Sequence, residues 1–260
     1  ADRVGIAMKC PDGSYELVSG NEMGVLLLDY ICAGRIEKGT MPANPVAVKS
    51  IVSTPLADAV AKHYGVEMRN VLTGFKWIGR VPDLAFGYEE AIGYCTDPQA
   101  VRDKDGIGAM MRVITLIESL REEGRTIEDL LDDLARRHGL HATAPLSFRV
   151  ADPARIGAAM ARLDSDRPTT LAGAPVTEWR DLAEPNPDLP PTEGLLIGTA
   201  QGDRVIVRPS GTEPKLKCYL EVIEPCTGPD IPHERARDRL ARIAAEITEH
   251  LGLTDPAPSK

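Results

Sequence analysis

The chain has 260 residues, with 30 Lys and Arg against 39 Asp and Glu, a net charge of -9, and 43% hydrophobic residues. This length predicts one large or two small domains that each bury a core, and the composition excludes a disordered chain. The negative charge and the 4% aromatic content disfavour a nucleic-acid or anionic-membrane surface, although a small basic pocket could still bind a phosphate. The apolar runs are far shorter than the ~18 residues of a membrane-spanning helix.

The five cysteines are irregularly spaced and include no C-x-x-C pair, so the sequence encodes neither a disulfide framework nor a zinc site. We expect reduced thiols and a cytoplasmic location, since no charged and apolar signal segment precedes Val4. The chain begins Ala1-Asp2-Arg3 without Met and continues directly into a predicted strand. Such a start is typical of a sequence that begins in the middle of a structural element.

The first part of the chain alternates strand and helix patterns. Its predicted strands are residues 4–8, 46–52, 66–72 and 84–88. Its predicted helices are residues 22–33 with Ser19-Gly20-Asn21 as cap and Gly34 as terminator, 56–65 after Ser53-Thr54-Pro55, 107–123 after Asp105-Gly106, and 127–138 after Thr126. Strands that alternate with helices over short loops predict an α/β fold, a βαβ layered domain with a mostly parallel sheet.

The second part of the chain has a different pattern of predicted elements. A helix is predicted from Asp152-Pro153 to about residue 163, and a proline-rich stretch follows at residues 185–191. Two alternating segments, 195–200 and 204–208, flank Gln201-Gly202-Asp203, which predicts a hairpin. A third alternating segment covers residues 215–222, and Pro232-His233 opens a final helix to about residue 251. These patterns predict a smaller α+β C-terminal domain with an antiparallel sheet, and we place the boundary near Leu146.

The segment RPSGTEPKLK, residues 208–217, forms a predicted loop between two alternating strands. It offers a guanidinium, two hydroxyls, a glycine that lets backbone N–H groups approach a ligand, and two ammonium groups, which together suit a phosphate dianion. The groups belong to Arg208, Ser210, Gly211, Thr212, Lys215 and Lys217. The alternative is a tight turn with solvated lysines.

Two adjacent carboxylates, Glu89 and Glu90, follow the predicted strand 84–88. The carboxyl ends of parallel strands are where ligands bind, and carboxylates there could accept hydrogen bonds from sugar hydroxyls. The alternative is a surface loop with ordinary exposed glutamates. Lys76 has a similar pair of interpretations, because it could meet a phosphate or hydroxyl or could lie over the ring of Trp77.

The segment Asp103-Lys104-Asp105-Gly106 resembles the start of a calcium loop, but the fifth and twelfth positions are Ile107 and Ile114, which cannot bind the metal. Asp105 is better interpreted as a helix cap. The five histidines form no cluster with metal spacing, and Ser210 lacks the G-x-S-x-G context of a hydrolase nucleophile.

Taken together, these segments resemble the alpha-D-phosphohexomutase superfamily. The resemblance is to its phosphoglucomutase/phosphomannomutase family, especially the phosphopentomutase-like branch, and covers essentially the whole chain. The segments that carry it are residues 1–5 (ADRVG), 19–22 (SGNE), 73–76 (TGFK), 89–93 (EEAIG), 103–106 (DKDG) and 208–215 (RPSGTEPK).

The resemblance implies four domains around one cleft, with a phosphoserine in the first and a D-x-D-x-D-R magnesium loop in the second. It implies that residues 1–18 end the second domain, 19–145 form the third, sugar-binding domain, and 146–260 form the fourth, phosphate-binding domain. Asp2 would be the last metal-binding Asp, with Arg3 behind it. The implied substrate-binding residues are Lys76, Glu89, Glu90, Arg208, Ser210, Gly211, Thr212 and Lys217.

Three departures from the family pattern affect the implied roles. Ala91 stands where many members have Ser, and Tyr94 stands where some have His, which puts an acid–base role there in doubt. The chain contains no Ser-His-Asn nucleophile motif, because none of its histidines is followed by Asn. It therefore resembles the C-terminal half of a mutase, carries no implied catalytic nucleophile, and is predicted to be inactive alone.

The implied reaction moves a phosphoryl group between the C1 and C6 (or C5) hydroxyls of a sugar phosphate, through a phosphoserine and a bisphosphate intermediate. The implied cofactors are Mg²⁺ and glucose 1,6-bisphosphate or a similar sugar bisphosphate. The implied partners are a sugar phosphate and the missing N-terminal domains of the same protein, with no nucleic acid and no membrane. Two alternatives stay open, a noncatalytic sugar-phosphate binding module and an interaction scaffold whose loops are only turns.

Overall fold

The computed structural model describes residues 1–9 and 12–253. The chain divides into two compact units, Ala1–His138 and Gly139–Lys260. Each unit has its own sheet and its own buried core. None of the helices among the described residues is long and apolar enough to cross a membrane.

The first unit contains a four-stranded mixed sheet. The strands of the whole unit are β1 (Ile6–Lys9), β2 (Tyr15–Val18), β3 (Val46–Ser50), β4 (Glu67–Val71), β5 (Leu84–Glu89) and β6 (Gly93–Cys95), and its helices are α1 (Gly20–Glu37), α2 (Leu56–His63), α3 (Phe75–Ile78), α4 (Gly106–Glu122) and α5 (Ile127–His138). The sheet order is β4-β3-β5-β6, in which β3 pairs in parallel with β4 and β5, and β6 runs antiparallel to β5. The predicted βαβ layered domain is confirmed, with β1 and β2 as a separate antiparallel ribbon.

Local sequence explains where these elements begin. Every residue of β3 is buried, as its β-branched run predicted for a central parallel strand. Ser19 caps α1 through a capping box, since its Oγ accepts from the N–H of Glu22 (3.2 Å) while the Glu22 carboxylate accepts from the N–H of Ser19 (2.8 Å). The predicted cap is therefore confirmed.

Helix α1 does not end at Gly34, as the sequence predicted. It continues to Glu37, and the left-handed residue that follows its C-cap is Gly39, with φ +62°. A glycine in the interior of a helix weakens it by only about 0.5–1 kcal/mol, which tertiary packing readily offsets. Gly39 occupies the position where a positive φ is needed, and the helix ends there.

The second unit contains a six-stranded antiparallel sheet. Its strands are β7 (Leu140–Arg149), β8 (Thr170–Leu171), β9 (Ala174–Asp181), β10 (Leu195–Thr199), β11 (Arg204–Pro209) and β12 (Lys215–Glu224), and its helices are α6 (Ala154–Ser165) and α7 (His233–Leu251). The order is β7-β12-β11-β10-β9-β8, and one face packs against α6 and α7. The predicted α+β domain with an antiparallel sheet is confirmed.

The sequence patterns did not predict three strands of this sheet, namely β7, β8 and β9. β7 carries Pro145 and lies at the sheet edge beside β12, where a missing N–H is tolerated. Leu146, near which we expect the domain boundary, lies inside this strand, and the two compact units divide between His138 and Gly139. Strands β8 and β9 are joined by a tight turn in which Ala172 has φ +47°.

Candidate functional site

The first group of charged side chains lies at the carboxyl end of β5. We call Asp2, Arg3, Glu89 and Lys104 the Glu89 cluster. Glu89 is the last residue of β5 and is 7% exposed, and the Arg3 Nη2 atom lies 3.2 Å from its Oε1 atom. The Arg3 guanidinium also donates to the carbonyl of Ala91, and the Lys104 Nζ atom lies 3.5 Å from Asp2 Oδ2.

Backbone contacts bring residues 1–3 to this position. The N–H of Gly106, in the first turn of α4, donates to the carbonyl of Ala1 at 3.0 Å. A Cβ on Gly106 would lie 2.6 Å from the carbonyl oxygen of Arg3, so only glycine permits this approach. Asp105 caps the same helix end, since its Oδ1 accepts from the N–H of Gly108 at 2.9 Å, which confirms its interpretation as a cap.

The electrostatics of the Glu89 cluster are set by burial and by mixed charges. Burial raises the pKa of Glu89, the positive charges of Arg3 and Lys104 oppose that rise, and the nearby Glu90 and Asp2 carboxylates add to it. A carboxylate in this environment is a strong hydrogen-bond acceptor whose own solvation is poor. It can accept hydroxyl hydrogen bonds from a ligand that replaces water.

Glu90 is directed to different partners from those of Glu89. Its Oε2 atom accepts from Ser50 Oγ at 2.9 Å and from Ser53 Oγ at 3.4 Å, and both serines are fully buried. Ile92, two residues later, has φ +56°, a conformation that is costly for a β-branched side chain. The loop between β5 and β6 is therefore fixed by the hydrogen bonds of Glu90 and, at the end of β5, by the ion pair of Glu89 with Arg3.

Lys76 lies in the short helix α3, and its side chain is exposed. Its Nζ atom is 5.5 Å from the centre of the Trp77 ring, which is the alternative that the sequence allowed. Within residues 1–9 and 12–253, no hydrogen bond or ion pair joins Lys76 to the Glu89 cluster. The implied role of Lys76 as a substrate-binding residue stays a prediction.

Lys104 is the member of the Glu89 cluster that sequence reasoning missed. Its side chain is only 16% exposed, and its Nζ atom lies 3.4 Å from Asp103 Oδ1 and 5.1 Å from the centre of the Phe75 ring. The sequence motifs assign segment 103–106 to the family pattern and to a helix cap but give Lys104 no role of its own. The sequence feature that could have indicated Lys104 is its position between two aspartates at the start of a predicted helix.

The described residues do not form a magnesium site by themselves. No group of three or more His, Cys, Asp or Glu side chains among them is placed to hold a metal ion. The predicted ligand, Asp2, has its Oδ2 atom next to the Lys104 ammonium. Mg²⁺ needs a near-octahedral set of oxygen ligands, so Asp2 could contribute only one of several.

The second group lies in the second unit, in residues 208–217, which we call the phosphate loop. It consists of the end of β11, the turn 210–214 and the start of β12, as the sequence predicted, and is closed by a hydrogen bond from the N–H of Ser210 to the carbonyl of Lys215 (2.8 Å). Arg208 is directly opposite Lys217 in the antiparallel register, so both side chains leave the same face of the sheet. A guanidinium and an ammonium thus share one patch beside the loop.

The tip of the phosphate loop is exposed. Gly211 and Thr212 are exposed, and a Cβ on Gly211 would contact no protein atom within 4 Å. Glu213 is tied to Lys215 (2.9 Å) and to Arg149 (3.5 Å), and the hydrogen bond from Lys215 is the main reason that its pKa is lowered. The loop therefore offers backbone and hydroxyl groups next to cations, an arrangement that suits an anion.

A cavity of about 920 Å³ in the second unit contains none of these residues. It lies between α7 and the ends of neighbouring strands and includes Gln201, Glu224 and Arg239. The Arg239 guanidinium pairs with Glu224 at 3.0 Å and with Asp203 at 2.5 Å, so its charge is already neutralised inside the protein. We assign no function to this cavity.

Both units match domains of one known family. Residues 19–138 match the family described as "Phosphoglucomutase/phosphomannomutase, alpha/beta/alpha domain III", and residues 147–225 match "Phosphoglucomutase/phosphomannomutase, C-terminal domain". The chain belongs to the phosphoglucomutase/phosphomannomutase family. It is thus a member of the alpha-D-phosphohexomutase superfamily and corresponds to its C-terminal half, as the motifs indicated.

Curated relatives agree with this assignment. The chain is 36% identical over 222 residues to "Probable phosphomannomutase" of Haemophilus influenzae, covering 85% of this chain and 44% of the relative. It is 32% identical over 243 residues to phosphoglucomutase of Staphylococcus epidermidis, covering 85% of this chain and 43% of the relative. The chain therefore spans less than half the length of the curated relatives that it matches.

Solved structures share the fold. Parafusin, a phosphoglucomutase from Paramecium, superposes with a TM-score of 0.64 at 18% identity, over 93% of this chain and 44% of that one. N-acetylphosphoglucosamine mutase of Aspergillus fumigatus, solved with glucose 1,6-bisphosphate, gives a TM-score of 0.55 at 14% identity, over 98% of this chain and 47% of that one. The same Aspergillus enzyme has also been solved with GlcNAc-6P and magnesium.

Proposed function

We propose that this chain is the sugar-binding and phosphate-binding half of a phosphohexomutase of the phosphoglucomutase/phosphomannomutase type. The whole enzyme would move a phosphoryl group between the C1 hydroxyl and the C6 (or C5) hydroxyl of a sugar phosphate, through a phosphoserine and a bisphosphate. The observation that carries the proposal is that both units match domains of the same mutase family. The nucleophile would lie outside this chain, which has no Ser-His-Asn motif.

In this proposal the phosphate loop holds the phosphate that is not being transferred. Arg208 supplies a bidentate guanidinium and Lys217 a second positive charge from the opposite strand. Ser210, Gly211 and Thr212 contribute hydroxyl and backbone donors at the exposed tip. Phosphoryl transfer depends mainly on charge neutralisation and positioning, and these groups supply both without being consumed.

The Glu89 cluster has the complementary task of orienting the sugar. Glu89 is a buried acceptor for hydroxyl groups, and Arg3 fixes one of its oxygens at 3.2 Å. Lys104 places an ammonium group beside the same loop, where it can neutralise charge on a phosphorylated ligand. Glu90 and Lys76 remain proposed substrate ligands, with Glu90 committed in this structure to Ser50 and Ser53.

The proposal also covers the cofactors and the location. Mg²⁺ and a sugar bisphosphate are proposed for the whole enzyme, because related mutases have been solved with magnesium and with glucose 1,6-bisphosphate. Asp2 would supply one oxygen ligand to Mg²⁺ and needs further ligands from outside this chain. We assign no catalytic step to the metal, and we propose a cytoplasmic enzyme.

The alternative is a noncatalytic sugar-phosphate binding module. It is favoured by one observation, which is that the chain contains a candidate phosphate loop and sugar loop but no nucleophile motif. The two candidates differ in the upstream coding sequence. An upstream frame that encodes a Ser-His-Asn motif is expected for the mutase, whereas a start codon immediately before Ala1 is expected for the module.

The test is a coupled assay of the full-length protein that follows conversion of glucose 1-phosphate, mannose 1-phosphate and pentose 1-phosphates. We expect turnover of at least one of them, and none with the 260-residue chain alone. Arg208→Ala should lower kcat/KM by about one to two orders of magnitude, because charged hydrogen bonds contribute about 1.5–3 kcal/mol each. Isothermal titration with glucose 1,6-bisphosphate should show the same loss of affinity.

Arg237→Ala is the matched control, since Arg237 is an exposed arginine of α7 in the same unit. It removes the same charge and should leave kcat/KM unchanged. Equal effects of the two substitutions would mean that only net charge matters and would contradict the phosphate loop. Absence of turnover by the full-length protein on every sugar phosphate would contradict the mutase.

A further inference from the structure

Helix α4 exposes an apolar stripe on the first unit. The stripe consists of Ile107 (58% exposed), Met110 (41%), Met111 (54%), Ile114 (45%) and Ile117 (39%). Their spacing places all five on one face of the helix. The opposite face carries Ala109, Val113, Leu116 and Leu120, which are buried in the core of the unit.

The first three turns of α4 are therefore apolar on almost every side. Between residues 106 and 117, the polar side chains are Arg112 and Thr115. A helix that is apolar all round is normally buried on both faces, and an exposed apolar stripe of this length marks a surface that another element covers. From Glu118 onward the exposed face of α4 becomes polar, so the stripe is confined to the beginning of the helix.

The beginning of α4 is also where the chain begins. The N–H of Gly106 donates to the carbonyl of Ala1, and Lys104 pairs with Asp2, so residue 1 lies against the first turn of the helix. Any residues that precede Ala1 in a longer protein would leave the unit beside Ile107. The curated relatives keep more than half of their length outside the region that this chain matches.

The size of the stripe favours a partner that is covalently linked. A stable interface between separate proteins uses roughly 20–30 residues on each side, and the stripe has five. A tethered partner needs fewer contacts, because the effective concentration across a short linker is in the range of about 1 mM. A second copy of this chain would have to associate through the small patch without that advantage.

We infer that the apolar stripe of α4 is the docking surface for the part of the mutase that precedes Ala1. This inference rests on the proposed function, because it requires a larger mutase of which this chain is one part. Docking there would cover Met111 and Ile114 and would fix residues 1–3 against α4. It would thereby hold Arg3 in place beside Glu89.

Thiol labelling tests this directly in two proteins, the 260-residue chain and the full-length protein. Ile114→Cys is introduced into both, and the rate of maleimide labelling at that position is measured by peptide mass spectrometry. We expect fast labelling in the 260-residue chain and at least tenfold slower labelling in the full-length protein. Ile36→Cys is the matched control, since Ile36 is an isolated exposed side chain of α1 with 52% exposure, and it should label equally in both.

Two results would overturn the inference. One is an equal labelling rate of the Ile114→Cys variant in the two proteins. If the full-length variant still turns over a sugar phosphate, this result contradicts the docking surface and leaves the proposed function standing. The other is protection of the introduced thiol in the 260-residue chain that increases with protein concentration, which would assign the stripe to a second copy. A reading frame that starts just before Ala1 would overturn both the inference and the mutase.

Discussion

The Glu89 cluster in the first unit and the phosphate loop in the second hold their charged groups in different surroundings. The Glu89 side chain is 9% exposed and is already paired with Arg3 at 3.2 Å. In the phosphate loop, Glu213 is 43% exposed and Lys215 holds it at the loop base, while the tip residues Gly211 and Thr212 are exposed. The first site is built around a buried glutamate with charged partners, and the second is an open turn between two interior strands of the sheet.

Because of this difference, substitutions at the two sites should differ in whether they change folding stability together with ligand binding or ligand binding alone. In the Glu89 cluster the proposed ligand groups are also packing and pairing groups, so changes there should alter folding as well as binding. In the phosphate loop the proposed ligand groups lie outside the core, so Arg208→Ala should alter binding and leave stability within about 0.5 kcal/mol. The stability of each unit after substitution at its site therefore distinguishes the two.

The largest effect is expected at Gly20, which lies under the loop that carries the two glutamates. A Cβ at this position would lie 1.9 Å from the carbonyl oxygen of Glu90, and backbone cannot move aside as a flexible side chain can. Gly20→Ala should therefore destabilise the first unit by about 1–3 kcal/mol. Urea unfolding followed by Trp77 fluorescence in a Trp179→Phe background reports this unit alone, because the chain has 2 tryptophans.

Gly34→Ala is the control for Gly20→Ala in the same helix. A Cβ on Gly34 would meet no atom within 4 Å, and its φ is not in the left-handed region. This substitution should stabilise the unit by about 0.5–1 kcal/mol, since alanine is the better helix former. Destabilisation by both substitutions to the same degree would contradict the close approach of α1 to the glutamate loop.

A smaller effect is expected from the ion pair between Arg3 and Glu89. A double-mutant cycle with Arg3→Met and Glu89→Gln should give a coupling of about 0.5–1 kcal/mol, reduced because the Arg3 side chain is 43% exposed. The matched cycle with Lys215→Met and Glu213→Gln should give a smaller coupling, since Glu213 is solvated. A larger coupling in the second cycle would reverse the contrast between the two sites.

Elements whose causes are local could be predicted from the sequence. Ser19 caps α1 because its partner Glu22 lies three residues away, and β3 begins with the apolar residues Val46, Ala47 and Val48, which suit a buried strand. The phosphate loop was likewise visible as a turn between two alternating segments. In each of these cases the residues that determine the structure are neighbours in sequence.

The rest depends on contacts between distant segments. The pairing of Arg3 with Glu89 and of Lys104 with Asp2 requires residues 1–3 to lie on the first turn of α4, which no local pattern encodes. Strand β7 was missed because Pro145 argues against a strand unless the strand is known to lie at an edge. Gly34 was misassigned as a terminator because its helical conformation is set by packing of the whole helix.

The smallest effect, and the sharpest in sign, is the pH dependence of stability at the two glutamates. Burial raises the pKa of Glu89 above its ordinary value of 4.5. The contribution of Glu89 to the free energy of unfolding is therefore favourable at low pH, where the carboxyl is protonated, and is lost as the pH rises through the raised pKa. The hydrogen bond from Lys215 lowers the pKa of Glu213 below 4.5, so its contribution is present above 4.5 and is lost as the pH falls. The unfolding free energy of the wild type minus that of Glu89→Gln, measured from pH 3 to pH 7, should therefore decrease as the pH rises. The corresponding difference between the wild type and Glu213→Gln should increase as the pH rises. Slopes of the same sign would mean that Glu89 is solvated as Glu213 is, and the contrast between a buried cluster and an open loop would be wrong.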